Sequence, residues 1–173
     1  MIDGRDGAPL PVFDNGWVSP DGSRTPFLSF VSDAVSANWS EELEALHDES
    51  SRSHFLDRWT RSAILERLGP LPADAVIADI GCSSGYLLED LRAARGDARL
   101  VGVDAVVAGL RKAHASVPSA RLLHADACSL PLADASVNAV VSANLLEHIP
   151  DDTGALGEMA RVLYPGSRAV LVV

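Results

Sequence analysis

Short apolar runs alternate with stretches of helical periodicity from Val76 onward. The most compact example is Val76 to Leu91, where an apolar run ending at Ile80 is followed by a Gly/Ser turn and by leucines at helical spacing, including Leu87 and Leu88. Such a run is typical of a parallel strand buried on both faces, and such a spacing is typical of one face of a helix. The segment therefore predicts half of a β-α-β unit. Its turn would lie at the carboxyl end of the strand, where open α/β sheets bind ligands.

The same alternation continues along the chain. It predicts four more strands, over residues 98–104, 121–125, 137–143 and 168–173. It also predicts helices over residues 53–68, 105–116 and 151–163, and a short helix that begins at Ser40. Parallel strands joined by helices require right-handed crossovers, and a reversal after the third strand gives the order 3-2-1-4-5. We therefore predict a Rossmann-like, doubly wound α/β sheet with a ligand cleft between strands one and four.

The N-terminal part of the chain has a different composition. Residues 1–38 are rich in Gly, Pro, Asp and Ser and show little periodicity, so we expect irregular structure there. Aromatic residues such as Trp17 suggest that parts of it pack on the domain, because a disordered tail carries few of them. We divide the chain into an N-terminal cover segment, residues 1–52, and a ligand-binding domain, residues 53–173.

Composition and charge narrow the class of protein. The chain has 173 residues, of which 47% are hydrophobic, and no apolar run approaches the roughly 20 residues that a membrane helix needs. The N-terminus lacks the pattern of a secretory signal, so we expect a cytoplasmic protein. The net charge of −10 would repel a nucleic acid backbone. Cys82 and Cys128 lack metal-ligand spacing, and we expect reduced thiols and no metal site.

The turn after the first strand carries the motif that indicates the ligand. Asp79, Gly81, Ser83 and Gly85 form the pattern D-x-G-x-S-x-G. Its glycines allow positive φ and a close approach of the backbone to a ligand. A dinucleotide site would need glycines at 81, 83 and 86, which disfavours a nicotinamide-dependent oxidoreductase. The pattern resembles motif I of the class I S-adenosylmethionine (SAM)-dependent methyltransferases, with a serine in place of the middle glycine.

Two further acidic residues follow strands. Asp104 ends the second strand, where a carboxylate can accept two hydrogen bonds from the hydroxyls of a ribose. The same residue can instead cap the helix that follows. Asp126 follows the third strand. In the family that the motif resembles, an acid at this place accepts a hydrogen bond from the adenine amino group, and the next backbone amide, that of Ala127, meets the ring.

The resemblance continues through three later segments. Residues 130–136 (LPLADAS), 144–150 (NLLEHIP) and 164–167 (YPGS) are similar to the links around the fourth and fifth strands of small-molecule, type 11-like methyltransferases. The resemblance covers about residues 53–173 and implies SAM as the cofactor. It implies the following cofactor-binding residues: Asp79, Gly81, Cys82, Ser83, Gly85, Asp104, Ala105, Asp126, Ala127 and Asn144.

The same resemblance guides the expectations about chemistry. His148 is the candidate general base toward a hydroxyl acceptor, because imidazole changes charge near neutral pH, although a histidine here can also serve only to orient its loop. His54 and Arg61 either approach the carboxylate of SAM or are solvated positions on a helix. The expected function is methyl transfer to a small-molecule acceptor. The alternative is a SAM-binding or scaffold protein without catalysis.

The last predicted strand ends at the sheet margin. The resemblance implies a sheet that continues with two further strands, and we expect neither of them within these 173 residues. A strand at a margin exposes unpaired backbone groups and is a template for another chain. We expect either a truncated product of a longer enzyme, a partner such as a second copy that covers this strand, or coverage by the N-terminal residues.

Overall fold

The computed structural model describes Ile2, residues 11–31, Glu42 and residues 53–173. The strands in this part of the chain are β1 (Val12–Phe13), β2 (Trp17–Val18), β3 (Arg24–Thr25), β4 (Phe27–Ser29), β5 (Val76–Ile80), β6 (Arg99–Asp104), β7 (Arg121–His124), β8 (Val137–Ala143) and β9 (Leu163–Val172). The helices are α1 (Phe55–Leu68), α2 (Tyr86–Ala94), α3 (Val107–Ser116), α4 (Asp152–Val162) and a 3-10 helix, Leu146–His148. The short helix predicted from Ser40 falls on residues outside this description, apart from Glu42.

The main sheet has six parallel strands in the order β4-β7-β6-β5-β8-β9. The last five correspond to the predicted order 3-2-1-4-5, so the predicted α/β fold is confirmed. All five residues of β5 are buried, as its continuous apolar run indicates. Because β5 lies inside the sheet with helices or N-terminal residues against both faces, neither of its faces meets water.

The two faces of the sheet are covered by different elements. On one face, Ile77 packs in a core cluster with residues of α1, α2 and α3, among them Ile64, Leu88 and Leu110. On the other face, Ile80 and its neighbours pack with residues of α4 and with Trp17 from the N-terminal segment. Successive residues of a strand point to opposite faces, which explains why β5 contributes to both clusters.

The prediction of irregular structure over residues 1–38 is wrong for residues 12–29. The strands β1, β2 and β3 form a small antiparallel sheet, and β4 pairs in parallel with β7. Trp17 is 3% exposed, and its indole Nε1 donates to the carbonyl of Leu122 at 3.2 Å. Strands of two or three residues are too short to show a period of two in the sequence. Burial of aromatic side chains against the main sheet stabilises them instead.

The two margins of the main sheet differ. The N-terminal segment covers β7, the third predicted strand, whereas within residues 11–31 and 53–173 no strand pairs with the outer edge of β9. Residues 164–167, the segment that resembles a link of the family, lie inside β9 as an irregularity, because Val137 pairs with Leu163 and Ala139 then pairs with Arg168. None of the helices described is long and apolar enough to cross a membrane.

Candidate active site

A cleft of about 550 Å³ opens at the carboxyl ends of β5, β6, β7 and β8. This volume lies within the range of small-molecule sites. A smaller pocket of about 70 Å³ lies beside it, against α1 and the start of α2. Four residues line both cavities: Gly81, Ser83, Ala143 and Asn144. The two cavities therefore adjoin each other and are the wide and narrow ends of one candidate site.

The loop after β5 forms the boundary between the two cavities. Gly81 and Ser83 have φ values of +80° and +45°, in the left-handed region. A Cβ on Gly81 would lie 2.9 Å from Cδ1 of Leu145, which follows β8. Glycine at 81 therefore lets the loops after β5 and β8 approach each other. Ser83 carries the same backbone conformation with a side chain, a small strain of roughly 1–2 kcal/mol.

Gly85 borders the narrow pocket, and its nearest neighbours explain why the position requires glycine. Its φ is +84°, and a Cβ there would lie 2.8 Å from Cβ of Ala113 and 2.9 Å from its Cα. Ala113 belongs to α3. The glycine therefore allows the start of α2 to pack against α3. Packing is thus a second reason for glycine here, and the close approach of Gly85 to a ligand stays a prediction.

Asp79 is the most unusual residue of the site. It lies in β5, is 1% exposed and lines the narrow pocket. Its Oδ2 atom has no hydrogen-bond partner in the part of the chain described. Burial, and secondarily the charge of Asp104, raise the pKa of Asp79 to about 8. A buried oxygen without a partner costs about 1–3 kcal/mol, which a ligand that brings a donor or a positive charge would offset.

Asp104 connects two loops of the wide cleft. Its Oδ2 accepts from the backbone amide of Ser83 and its Oδ1 from that of Val106, both at 2.8 Å. The N-cap of α3 is Val106, so Asp104 holds the residue before the helix and is not itself the cap. A carboxylate oxygen has two lone pairs and can accept more than one hydrogen bond. The ribose contact stays a prediction.

Asp126 and Cys128 form the next wall of the wide cleft. Oδ1 of Asp126 accepts from the amide of Cys128 at 2.8 Å, and Sγ of Cys128 donates to the carbonyl of Asp151 at 3.4 Å. Burial, with the charges of Asp126 and Asp151, raises the pKa of the Cys128 thiol. A thiol of this kind is a poor nucleophile. Ala105 and Ala127 also line the cleft, as expected.

Cys82 is 5% exposed and packs among the apolar side chains between the sheet and its helices. Its amide donates to the carbonyl of Val103 at 3.1 Å, and the residue borders the narrow pocket. Neither cysteine forms a disulfide. Within residues 11–31 and 53–173, no three His, Cys, Asp or Glu side chains are grouped to hold a metal ion.

The loop after β8 supplies the last wall. Asn144 has a φ of +52°, which asparagine tolerates better than most residues, and it borders both cavities. His148 ends the 3-10 helix and lines the wide cleft, half-buried. Asp151 accepts from the amide of Gly154 at 2.9 Å and so caps α4. The candidate base therefore faces the same space as the predicted cofactor residues.

The structure also brings residues to the site that the sequence did not indicate. Thr60 and Ser84 are buried polar residues that line the narrow pocket, and Leu145 lines the wide one. Thr60 recurs with Ile64 and Leu68 on the buried face of α1. The signal in the sequence that indicates this role is a polar residue on an otherwise apolar helical face.

The two basic candidates on α1 have different positions. Arg61 lines the narrow pocket, and its Nε lies 2.7 Å from Oδ2 of Asp90, with its guanidinium 5.8 Å from the ring centre of Tyr86. His54 is exposed at the start of α1 and is not among the residues that line either cavity. Only Arg61 remains a candidate for contact with a ligand carboxylate.

A parallel sheet of order 3-2-1-4-5, with acidic residues in or after three adjacent strands, defines a Rossmann-like protein with a nucleoside-type site at its carboxyl edge. The sequence profile of the methyltransferase domain family matches residues 78–171, more than half of the chain. The chain therefore belongs to this family of SAM-dependent methyltransferases. The cofactor is SAM, and the unpartnered carboxyl oxygen of Asp79 fits its positively charged amino group.

The relatives agree with this assignment. A probable SAM-dependent methyltransferase of Mycolicibacterium smegmatis is 34% identical over 62% of this chain and 42% of its own length. Demethylmenaquinone methyltransferase of Thermus thermophilus is 35% identical over 66% of this chain and 53% of its own length. A Haloferax volcanii methyltransferase solved in complex with the activator Trm112 gives a TM-score of 0.66 at 28% identity, over 77% of this chain and 60% of the other. The chain spans about half the length of these two curated relatives.

Proposed function

We propose that this protein transfers the methyl group of SAM to a small-molecule acceptor. The observation that carries the proposal is the buried, unpartnered carboxyl oxygen of Asp79 at the narrow end of a cleft whose wide end carries Asp104 and Asp126. SAM supplies a methyl group on a sulfonium that is already activated for displacement. The protein then has to bind, align and desolvate the reacting groups.

The residues divide the cofactor between the two cavities. Asp79 would hold the ammonium group of the amino-acid part of SAM in the narrow pocket. Arg61 would lie close to the carboxylate of SAM. Asp104 accepts from the ribose hydroxyls, while Asp126 and the amide of Ala127 meet the adenine. These assignments rest on the chemistry of the side chains and on their places along the cleft.

The walls of the wide cleft favour a neutral or cationic acceptor. Among the described residues that line it are four acids, Asp104, Asp126, Glu147 and Asp151, and no Lys or Arg. A carboxylate or phosphate on the acceptor would be repelled there. The demethylmenaquinone methyltransferases among the relatives are named for an acceptor that is itself a small molecule. An acceptor of low charge is our proposal for this protein.

His148 is the proposed general base. It lines the cleft on the loop after β8, on the side opposite the loop of Asp104 and Ala105. His148→Ala should lower kcat about 100-fold if the imidazole removes the acceptor proton, with the Kd for SAM unchanged. If His148 only orients its loop, the variant would instead raise KM for the acceptor and leave kcat within a few fold.

Binding and turnover need separate measurements. Calorimetry of the protein with SAM, S-adenosylhomocysteine and NAD should give binding for the first two ligands only. A screen with methyl-labelled SAM and a neutral small-molecule fraction of cell extract should then yield labelled product. Binding without labelled product would support the non-catalytic alternative, and preferential binding of NAD would overturn the assignment of the cofactor.

A further inference from the structure

The imidazole of His124 joins two segments that lie far apart in the sequence. His124 is the last residue of β7, and its Nδ1 lies 2.8 Å from Oγ of Ser29 at the end of β4. Its Nε2 lies 3.2 Å from the carbonyl oxygen of Ala105, in the loop after β6. A carbonyl only accepts hydrogen bonds, so Nε2 carries the proton, and in the neutral ring Nδ1 accepts from the Ser29 hydroxyl. The hydroxyl also lies 3.3 Å from the Val31 carbonyl, the longer of its two contacts.

The peptide that His124 contacts lies in the wall of the wide cleft. Ala105 lies between Asp104 and Val106, whose carboxylate and amide are hydrogen-bonded to each other at 2.8 Å, and all three residues line the cleft. The main chain adds two links at the same point. The amide of Ala125 donates to the Asp104 carbonyl at 3.0 Å, and that of Phe30 donates to the His124 carbonyl at 2.9 Å.

We propose that His124 is a positioning residue for the cofactor site and that Ser29 orients its ring. The imidazole fixes the direction of the Ala105 carbonyl, and this fixes the loop that presents Asp104. Through Ser29, β4 thus contributes to cofactor affinity, although neither Ser29 nor His124 lines either cavity. This inference rests on the proposed function, because it assumes that the wall at Ala105 binds the nucleoside part of SAM.

A purely structural role for these residues would have different consequences. Phe27 packs edge-on against His124, with ring centres 6.1 Å apart, so removal of the ring also affects the packing of β4. Ser29→Ala removes a hydroxyl and leaves the main-chain pairing of β4 with β7 in place. His124→Gln keeps a donor at the distance of Nε2, whereas His124→Phe keeps the ring volume and loses both polar contacts.

The experiment measures the Kd for S-adenosylhomocysteine and for methylthioadenosine, together with Tm, on the whole chain. His124→Phe should raise the Kd of both ligands about fivefold and Ser29→Ala about threefold, since each substitution removes a hydrogen bond that holds the loop. His124→Gln should restore most of the affinity. Ser29→Ala added to His124→Phe should have little further effect, because both residues act through one contact. Ser23→Ala is the matched control, since in the part of the chain described its hydroxyl donates to Asp21 in the same turn.

Three results would overturn the proposal: wild-type affinity in Ser29→Ala, no rescue by His124→Gln, or losses that only follow Tm across all variants. The two ligands share the adenosine part, so the affinity for methylthioadenosine should fall as much as the affinity for S-adenosylhomocysteine. A loss of affinity for S-adenosylhomocysteine alone would also contradict the proposal. If the wild-type protein binds neither ligand, the proposed function fails and this inference fails with it. Binding by the wild type and unchanged affinity in the variants would overturn this inference alone.

Discussion

The two walls of the cleft are built in different ways. The wall formed by the loops after β5 and β6 is held by its own hydrogen bonds, since the amides of Gly81 and Cys82 both donate to the Val103 carbonyl and Asp104 accepts from Ser83. The wall formed by the loop after β8 contains exposed residues, Asn144 and Glu147, and a single 3-10 turn.

Under the proposed function, we expect the first wall to determine the affinity for the cofactor and the second to determine the choice of the acceptor. A wall fixed by backbone contacts presents a constant set of groups to a ligand that is the same in every turnover. A wall of exposed side chains changes its chemistry with each substitution and leaves the backbone of the first wall intact. We therefore expect substitutions in the loops after β5 and β6 to change the affinity for SAM and the stability, and substitutions in the loop after β8 to change turnover.

The largest expected effect is at Gly85. Gly85→Val adds a branched Cβ to a residue with a φ of +84° and places it 2.8 Å from Ala113. We expect a loss of at least about 3 kcal/mol in the free energy of unfolding, because both the backbone conformation and the packing of α2 on α3 are disturbed. Urea unfolding measures this, and the binding of SAM should be lost as a consequence.

Gly157→Ala is the matched control. Gly157 lies inside α4 with open space around its Cβ position. Alanine there should raise the free energy of unfolding by about 0.5–1 kcal/mol, because alanine favours the helix. Unchanged stability in Gly85→Val would show that the start of α2 is free to move away from α3, contrary to the packing reason given for this glycine.

Asp79 should make the stability of the ligand-free protein depend on pH. The pKa of Asp79 in the folded state is about 8, whereas the ordinary pKa of aspartate is 3.8. The folded state thus binds more protons between these values, and its stability falls as pH rises through them, by up to about 1.4 kcal/mol per unit. The stabilisation that comes from the raised pKa of Asp79 is fully present below about pH 4.

Asp79→Asn isolates the effect. Relative to wild type, the variant should lose the fall in stability between pH 4 and 8, and it should bind SAM at least about tenfold more weakly because the charge that pairs with the ammonium is absent. Calorimetry of the wild type at pH 7, in buffers of different ionisation enthalpy, should also detect release of a proton on binding. Identical pH profiles for the two proteins would contradict the assigned pKa shift.

Asp104 tests whether the fixed wall also contacts the cofactor. Asp104→Ala should reduce the binding free energy of SAM by about 2–3 kcal/mol, since it removes the charge-assisted hydrogen bonds to the ribose and to the loop. Asp104→Asn is the more informative variant, because its amide oxygen can keep one of the two backbone contacts. Affinity equal to wild type in a folded Asp104→Ala protein would remove the ribose assignment.

The regular part of this fold follows from the sequence, because buried parallel strands leave continuous apolar runs. The run from Val76 to Ile80 predicted β5 with its observed bounds, and residues 137–143 did the same for β8. Asp104 was predicted at the cleft because it ends a parallel strand, whereas Asp79 and Asp126 were predicted from the resemblance to the methyltransferases; all three line the two cavities.

The parts that were missed depend on contacts between distant segments. The pairing of β4 with β7 joins residues 95 positions apart, as in the bond between Ser29 and His124, and no local pattern encodes it. The packing role of Gly85 depends on Ala113 in another helix. Thr60 reaches the narrow pocket only because α1 packs against α2 and the sheet. These features arise from tertiary packing and not from local propensity.

Ser83→Gly should have the smallest effect and should sharpen the comparison between the walls. Ser83 has a φ of +45°, so glycine relieves a strain of roughly 1 kcal/mol but adds a similar entropy to the unfolded chain. The amide that donates to Asp104 is retained. We expect stability within about 0.5 kcal/mol of wild type and affinity for SAM within about threefold, measured by urea unfolding and calorimetry. A larger loss of affinity with unchanged stability would mean that the Ser83 side chain itself contacts the cofactor, and that the fixed wall binds through side chains as well as through its backbone.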